Sequence, residues 1–180
     1  MKTFAFIGLG VMGFPMAGHL SSAFDVRVYN RSSERAVKWQ GANKGIICQT
    51  PAEAAQGASI VFVCVGNDDD VRSVIYGETG VLAGISEGAI LVDHTTTSAE
   101  LARELYSACK QKGVGFLDSP VSGGEAGAVN GALTIMVGGD DSVYEIAAPV
   151  MSTYAKSVRH MGPSGAGQLT KMVNQICIAG

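Results

Sequence analysis

Short apolar runs and amphipathic stretches alternate from the start of the chain. Thr3 to Ile7 is apolar, glycines follow, and a helix-compatible stretch covers about Val11 to Ser22. Val26 to Tyr29 predicts a second strand, and Ser32 or Ser33 with Glu34 opens a helix through Ala36, Val37 and Trp39. Ile46 to Cys48 is a brief strand. Thr50-Pro51-Ala52-Glu53 then carries the N-cap hydroxyl, early proline and N3 carboxylate of a capped helix. Ser59 to Val65 is apolar throughout, as strands covered on both faces are.

The rhythm continues with a helix over about Asp69 to Tyr76 and a strand over Ala89 to Val92. Ser98 caps a helix running to Cys109. Strands are expected at Gly115 to Leu117 and Leu133 to Val137, a helix at Asp141 to Met151, and a short strand at Ser157 to His160. This alternation predicts βαβ units in a mostly parallel α/β sheet, doubly wound in the Rossmann manner. Right-handed crossovers would put helices on both faces. A last helix from about Ala166 to Ala179 presents Leu169, Met172, Val173, Ile176 and Cys177 at helical spacing. It either stops at a Gly180 cap or continues into another domain. Continuation is expected, because no later element covers its apolar surface.

Composition narrows the class. Of 180 residues, 47% are hydrophobic and 16% charged, enough to build a core and too apolar for disorder. A net charge of −3 offers no basic footprint for nucleic acid or an anionic membrane surface. No apolar run reaches the ~18 residues of a membrane-spanning helix. Cys48, Cys64, Cys109 and Cys177 are far apart and do not cluster with histidines, so a disulfide framework or metal site is not expected. A reducing, cytoplasmic setting follows from that usage.

Glycine is abundant, at 24 residues, and three of them form Gly8-Leu9-Gly10-Val11-Met12-Gly13. The G-x-G-x-x-G pattern follows a strand and opens a helix, which is where each glycine has work to do. Gly8 permits the tight turn, Gly10 lets a pyrophosphate approach the backbone, and Gly13 lets the helix pack closely. The second strand ends in Asn30-Arg31-Ser32-Ser33 rather than in a carboxylate. Asn30 carries no charge to repel a 2′-phosphate, Arg31 matches phosphate geometry, and the serine hydroxyls add hydrogen bonds. NADP(H) is therefore favoured over NAD(H), the alternative being that Arg31 is a solvated loop cation.

Ser122, Gly123 and Gly124 offer a hydroxyl and adjacent amides, which read equally as a carboxylate-binding nest or as a plain connection. Lys171 is the strongest proton-donor candidate, with Asn174 and Gln175 one turn on. A helical lysine is ordinarily a solvated surface charge. His94 reads as a loop histidine, His19 as a surface helix residue, and Trp39, Cys64 and Met136 as core. Asp68-Asp69-Asp70 suits the solvated start of a helix better than a metal site.

Gly8–Gly13, Asp118-Ser119-Pro120-Val121-Ser122-Gly123-Gly124 and Gly165-Ala166-Gly167-Gln168-Leu169-Thr170-Lys171-Met172-Val173-Asn174-Gln175 together resemble the β-hydroxyacid dehydrogenase family. Its members include 3-hydroxyisobutyrate dehydrogenases and tartronate semialdehyde reductases. The resemblance covers the whole chain. It implies a Rossmann-type NADP-binding domain over residues 1–162. Residues 163–180 would then begin a long helix leading to an all-helical domain, through which such proteins form homo-oligomers. It also implies that Lys171 is the general acid/base, with Asn174 or Gln175 orienting the substrate, and that Ser122, Gly123 and Gly124 hold a small substrate carboxylate.

Thr96 matches a position near the nicotinamide ribose, and Val65-Gly66-Asn67 matches the loop over the cofactor. Gly66 departs from the resemblance, standing where proline is common. Asn30-Arg31-Ser32 is similar to the NADP-preferring branch, whereas 6-phosphogluconate dehydrogenases are more distant, carrying a histidine at the place of Asn174. The activity implied is hydride transfer with a 3-hydroxy acid or its semialdehyde. Tartronate or succinic semialdehyde reduction, imine reduction and a non-catalytic nucleotide-binding assembly module are the alternatives.

Overall fold

In the computed structural model, which describes residues 2–179, the apolar runs form one twisted sheet. Its parallel part comprises β1 (Thr3–Ile7), β2 (Asp25–Tyr29), β3 (Ile46–Ile47), β4 (Ile60–Val63), β5 (Ile90–Asp93) and β6 (Gly115–Asp118). Their spatial order is β3-β2-β1-β4-β5-β6, so the chain reverses direction of travel between β1 and β4. β8 (Leu133–Gly139) joins β6 antiparallel, β7 (Val121–Ser122) pairs antiparallel with β8, and β9 (Ala155–Gly162) pairs parallel with it. The expected doubly wound, mostly parallel α/β sheet is what forms.

The helices are α1 (Gly13–Ala23), α2 (Ser33–Ala42), α3 (Pro51–Ala55), α4 (Asp68–Ile75), α5 (Val81–Gly84), α6 (Ala99–Gln111), α7 (Gly124–Val129), α8 (Asp141–Met151) and α9 (Ala166–Ala179). Gly180, weighed above as a cap, lies outside the described residues. The capping chemistry of Thr50 operates: its hydroxyl accepts the Glu53 N–H at 3.0 Å, while the Glu53 carboxylate accepts the Gln49 N–H at 2.7 Å. Ser98 caps α6 in the same way, accepting the Leu101 N–H at 3.1 Å.

Period-two alternation along β1 sends Phe4 and Phe6 to one core and Ala5 and Ile7 to the other. The first core holds Phe62, Trp39, Leu20 and Val92; the second holds Val63, Val71, Leu91 and Leu105. Every residue of β4 and β5 is buried, which is why these runs show no polar alternation. Burying one such large side chain contributes about 1.5–3 kcal/mol. Trp39 is core as expected, and its Nε1–H donates to the Phe14 carbonyl at 3.1 Å.

Some elements differ from expectation for local reasons. α1 begins at Gly13 rather than Val11, because the glycine turn occupies the two residues before Gly13. β9 is longer than Ser157 to His160, since its parallel pairing with β8 begins at Ala155 and runs to Gly162. The segment read as a nest or a connection becomes β7 followed by α7, and α5 was not anticipated. Elements of two, four and six residues are too short to display a period.

Candidate functional site

The glycine turn sits where β1 meets α1, beside the point where the strand order reverses. Gly8 has φ +96°, and a Cβ there would collide with the Cys64 carbonyl. A Cβ on Gly13 would collide with the Gly8 carbonyl, so this glycine brings α1 against the turn. Gly10 is different, because the nearest atom to a Cβ there is an Arg35 nitrogen at 4.0 Å. Its backbone faces open space, which a diphosphate at the start of an eleven-residue helix would fill. Leu9 is itself fully buried, and its N–H donates to the Asn30 side-chain oxygen at 2.8 Å. The Asn30 amide nitrogen donates onward to the Ser32 carbonyl at 3.0 Å. Asn30 thus ties the glycine turn to the end of β2.

A cavity of about 650 Å³ opens above these strand ends. Gly8, Gly10, Val11, Met12, Gly13, Asn30, Arg31, Ser32, Val65 and Gly66 all line it, so most of the cofactor residues expected from sequence converge. Pro51, Val74 and Ile7 give it an apolar wall suited to a flat ring system. Arg35 and Asp70 also line it and were not anticipated. Arg35 follows Arg31 by one turn at the start of α2, a spacing that could have signalled it. Asp70 was read within a solvated helix start. It does occupy the first turn of α4, yet its carboxylate meets Arg31 Nη1 at 3.2 Å. Asn67 caps α4, accepting the Asp70 N–H at 3.0 Å, and does not line the cavity.

Lys171 reaches the site by another route. The start of α9 packs backbone to backbone on the sheet: a Cβ on Gly138 would lie 2.8 Å from the Gly167 nitrogen, and one on Gly167 2.6 Å from the Asp118 carbonyl. The buried Asp118 carboxylate accepts the N–H groups of Gly165 at 2.7 Å and Gln168 at 3.0 Å. Gln168, also buried, donates to the Thr95 carbonyl at 2.7 Å and accepts the Thr97 N–H at 3.0 Å. The Thr95 hydroxyl accepts the Val65 N–H at 3.1 Å, which joins α9 to the cavity wall. Thr96 is exposed on the loop that Gln168 clamps.

Lys171 lies one turn beyond Gln168. It is 8% exposed, far from the solvated lysine that composition alone suggests. Burial pushes its pKa below the usual lysine value, and Nζ donates to the Gln175 side-chain oxygen at 3.1 Å. Gln175 is exposed and Asn174 half-buried. Ser122, Gly123 (φ +130°) and Gly124 (φ +61°) lie outside the dinucleotide cavity, at the corner between β7 and α7, with both glycines exposed.

The burial of two carboxyl groups behind the site escaped sequence reasoning. Asp93 and Asp118 end neighbouring strands in register. Burial, aided by the charges of Asp118 and Asp68, raises Asp93 to about 7 despite hydrogen bonds from Thr95. Burial also raises Asp118, against the backbone N–H groups it accepts. A carboxylate closing an apolar strand is the signal that was available. His94 requires correction: it is buried in the core, stacked on Phe62 at 5.7 Å, and burial lowers it to about 4. As a neutral ring it donates from Nδ1 to the Ser119 carbonyl at 2.7 Å and accepts the Tyr154 hydroxyl at Nε2 at 2.9 Å. His19 is also less superficial than expected, being half-buried with Nε2 3.1 Å from the Ala128 carbonyl. Among the described residues, no group of three or more His, Cys, Asp or Glu is placed to hold a metal ion, and no helix is long and apolar enough to cross a membrane.

The strand order, the glycine turn and the cavity at the carboxyl ends of the strands define a Rossmann-type dinucleotide-binding domain. More particularly, the chain belongs to the family described as the NAD binding domain of 6-phosphogluconate dehydrogenase, whose model matches residues 3–162. It is 58% identical, over its whole length, to an uncharacterized oxidoreductase of Shewanella frigidimarina, of which it covers 62%. It is 36% identical over 99% of its length to the NAD-dependent L-serine dehydrogenase of Pseudomonas aeruginosa, covering 60% of that protein. Among solved structures it resembles 3-hydroxyisobutyrate dehydrogenase of Mycobacterium tuberculosis with L-serine, at a TM-score of 0.93 and 34% identity. That match covers 99% of this chain and 60% of the other. The hydroxyacid dehydrogenase resemblance drawn from the motifs is thereby upheld, and the chain spans about three fifths of the length of these relatives.

Proposed function

We propose that the chain is the dinucleotide-binding part of an NADP(H)-dependent oxidoreductase. Its substrate class is a small 3-hydroxy acid or the corresponding semialdehyde. The observation that carries this reading is Lys171, a buried amine whose helix is fixed through Asp118 to the end of β6 and through Gln168 to Thr95, which in turn holds Val65 on the wall of the dinucleotide cavity. L-Serine and 3-hydroxyisobutyrate, which appear in the names of relatives, both carry a hydroxyl on the carbon β to a carboxylate.

When bound, the nicotinamide dinucleotide supplies the hydride acceptor or donor. The glycine turn and the start of α1 hold its diphosphate, while Arg31 and Arg35 are the cations placed to meet a 2′-phosphate. Ser122, Gly123 and Gly124 hold the substrate carboxylate. In the oxidising direction Lys171 Nζ, as a neutral amine, takes the proton from the substrate hydroxyl; in the reducing direction its ammonium returns it. Burial makes both forms accessible nearer neutrality than an ordinary lysine allows. Gln175 orients Nζ, with Asn174 beside it.

In this reading α9 (Ala166–Ala179) leads toward an all-helical domain. Leu169, Met172, Val173 and Ile176, which are 45–67% exposed, give that domain and an oligomeric partner an apolar face to cover. In the full-length protein, Lys171→Ala should lower kcat about 10²–10⁴-fold with dinucleotide affinity retained. Unchanged turnover on 3-hydroxy acids would remove Lys171 from the reaction. A screen that found imines reduced and hydroxy acids untouched would replace the substrate class.

A further inference from the structure

The guanidinium best placed for a 2′-phosphate is already engaged. Arg31 Nη1 contacts the Asp70 carboxylate at 3.2 Å, from the opposite wall of the dinucleotide cavity. We infer that Asp70 is a cofactor-specificity residue that weakens the preference for NADP(H) by competing with the 2′-phosphate for Arg31. The inference rests on the reading that this cavity receives the adenosine end of the dinucleotide at Arg31.

Three features make Asp70 a placed group rather than a wandering surface acid. Its N–H is held by the Asn67 side chain at 3.0 Å, and its carbonyl accepts the Ser73 hydroxyl at 2.7 Å, so its backbone is fixed at the head of α4. Its two acidic neighbours are directed elsewhere: Asp68 accepts from Ser98, and Asp69 faces Arg72 at 3.7 Å. Finally, a Cβ on Gly66 would collide with the Asp70 carboxylate. Gly66 is the departure from resemblance noted in the sequence, and the collision gives that departure a purpose. The missing side chain leaves the space in which the carboxylate lies.

The consequence is electrostatic. A 2′-phosphate needs the guanidinium fork for paired hydrogen bonds and must either displace the carboxylate or share Arg31 with it, like charge against like. A 2′-hydroxyl can donate to the same carboxylate without repulsion. Arg31 is 85% exposed, so solvent screens the pair and the penalty is moderate. Arg35, on the same wall, keeps some attraction for phosphate. The site therefore favours NADP(H) less than its two arginines alone would dictate.

The test is calorimetric titration of the full-length protein with NADPH and with NADH. Asp70→Asn should tighten NADPH by about three- to ten-fold and leave NADH level or weaker. In an Arg31→Ala background the same change should raise NADPH affinity much less, because no guanidinium remains to be competed for, an outcome that a merely structural role for Asp70 does not produce. Gly66→Ala, which keeps the charge but crowds the carboxylate out of place, should shift the ratio in the same direction. If Arg31→Ala weakens NADPH but neither Asp70→Asn nor Gly66→Ala moves the NADPH-to-NADH ratio, the role of Asp70 is refuted and the cofactor reading survives. If Arg31→Ala also leaves the ratio unchanged, the cofactor reading fails and the inference falls with it.

Discussion

The carboxylate of Asp118 accepts the backbone N–H of Gln168 at 3.0 Å, across a separation of 50 residues. A helix normally draws its N-terminal cap from the residue just before it; α9 takes this one from the end of β6. The sheet and the helix carrying Lys171 are therefore one mechanical unit, joined through a buried carboxylate and two peptide N–H groups.

Asp118→Ala should accordingly cost about 1–3 kcal/mol of stability, because buried amides of Gly165 and Gln168 lose their acceptor. Denaturant unfolding measures this, and amide exchange across the first turn of α9 locates it. Turnover should fall with it, while the dinucleotide cavity, built from other strand ends, keeps its affinity. Faster exchange spread evenly over the whole sheet would argue that Asp118 supports the fold at large rather than α9.

The same junction depends on the absence of side chains. Gly167→Ala and Gly138→Ala each insert a methyl group where backbone atoms already lie within 3 Å, so α9 must shift. Overpacking of this kind costs about 1–3 kcal/mol. The functional cost should exceed what stability implies, since displacing α9 moves Lys171 relative to Thr95 and Thr97. Measuring kcat well below each variant's melting temperature separates the two effects. Activity that follows stability alone would mean that the position of α9 is not critical.

Much of this was legible in the sequence, and the reason is locality. The glycine turn, the Thr50 cap and the apolar strands are written in neighbouring residues, so pattern reading recovers them. The dinucleotide set converges because its members stand at the carboxyl ends of adjacent parallel strands, which the βαβ topology guarantees. The Asp118 cap, the Gln168 clamp and the Arg31–Asp70 pair were not legible, because each joins residues 39 to 73 positions apart. His94 misled for a related reason: its neighbours Thr95 to Thr97 read as loop, while its ring turns inward to Phe62 and Tyr154. Asp93 and Asp118 look like ordinary strand-end acids until burial is known.

Asp93 and His94 are adjacent, and burial moves them in opposite directions, to about 7 and about 4 respectively. A carboxyl group raised on folding favours the native state below its unfolded value near 3.8, and that contribution is lost as pH rises through about 7. A histidine lowered on folding does the reverse: it disfavours the native state at acid pH, and the penalty disappears as pH rises from about 4 to 6.5. The two slopes oppose each other between pH 4 and 6.5. Asp93→Asn should unmask the histidine, so stability climbs more steeply with pH than in the parent, by up to about 1.4 kcal/mol per pH unit. His94→Gln should unmask the carboxyl group and turn the difference downward. Unfolding free energies at several pH values read the slopes directly. Identical slopes in all three proteins would show that neither group changes protonation on folding.

Lys171 offers the corresponding prediction for catalysis. Burial lowers its pKa, so the neutral amine appears at a lower pH than in an exposed lysine. Oxidation requires that neutral amine to accept the hydroxyl proton. The oxidative kcat should therefore rise with pH up to the lowered value and then level off, while the reductive kcat declines over the same interval. Lys171→Arg keeps a cation that does not titrate in this range, and the limb should vanish along with most of the activity. Gln175→Ala removes the oxygen that accepts from Nζ and so favours the charged amine. Its loss should move the limb to lower pH without abolishing it. A limb unmoved by Gln175→Ala would shift the orienting role to Asn174; a limb that persisted in Lys171→Arg would assign the proton transfer to another group.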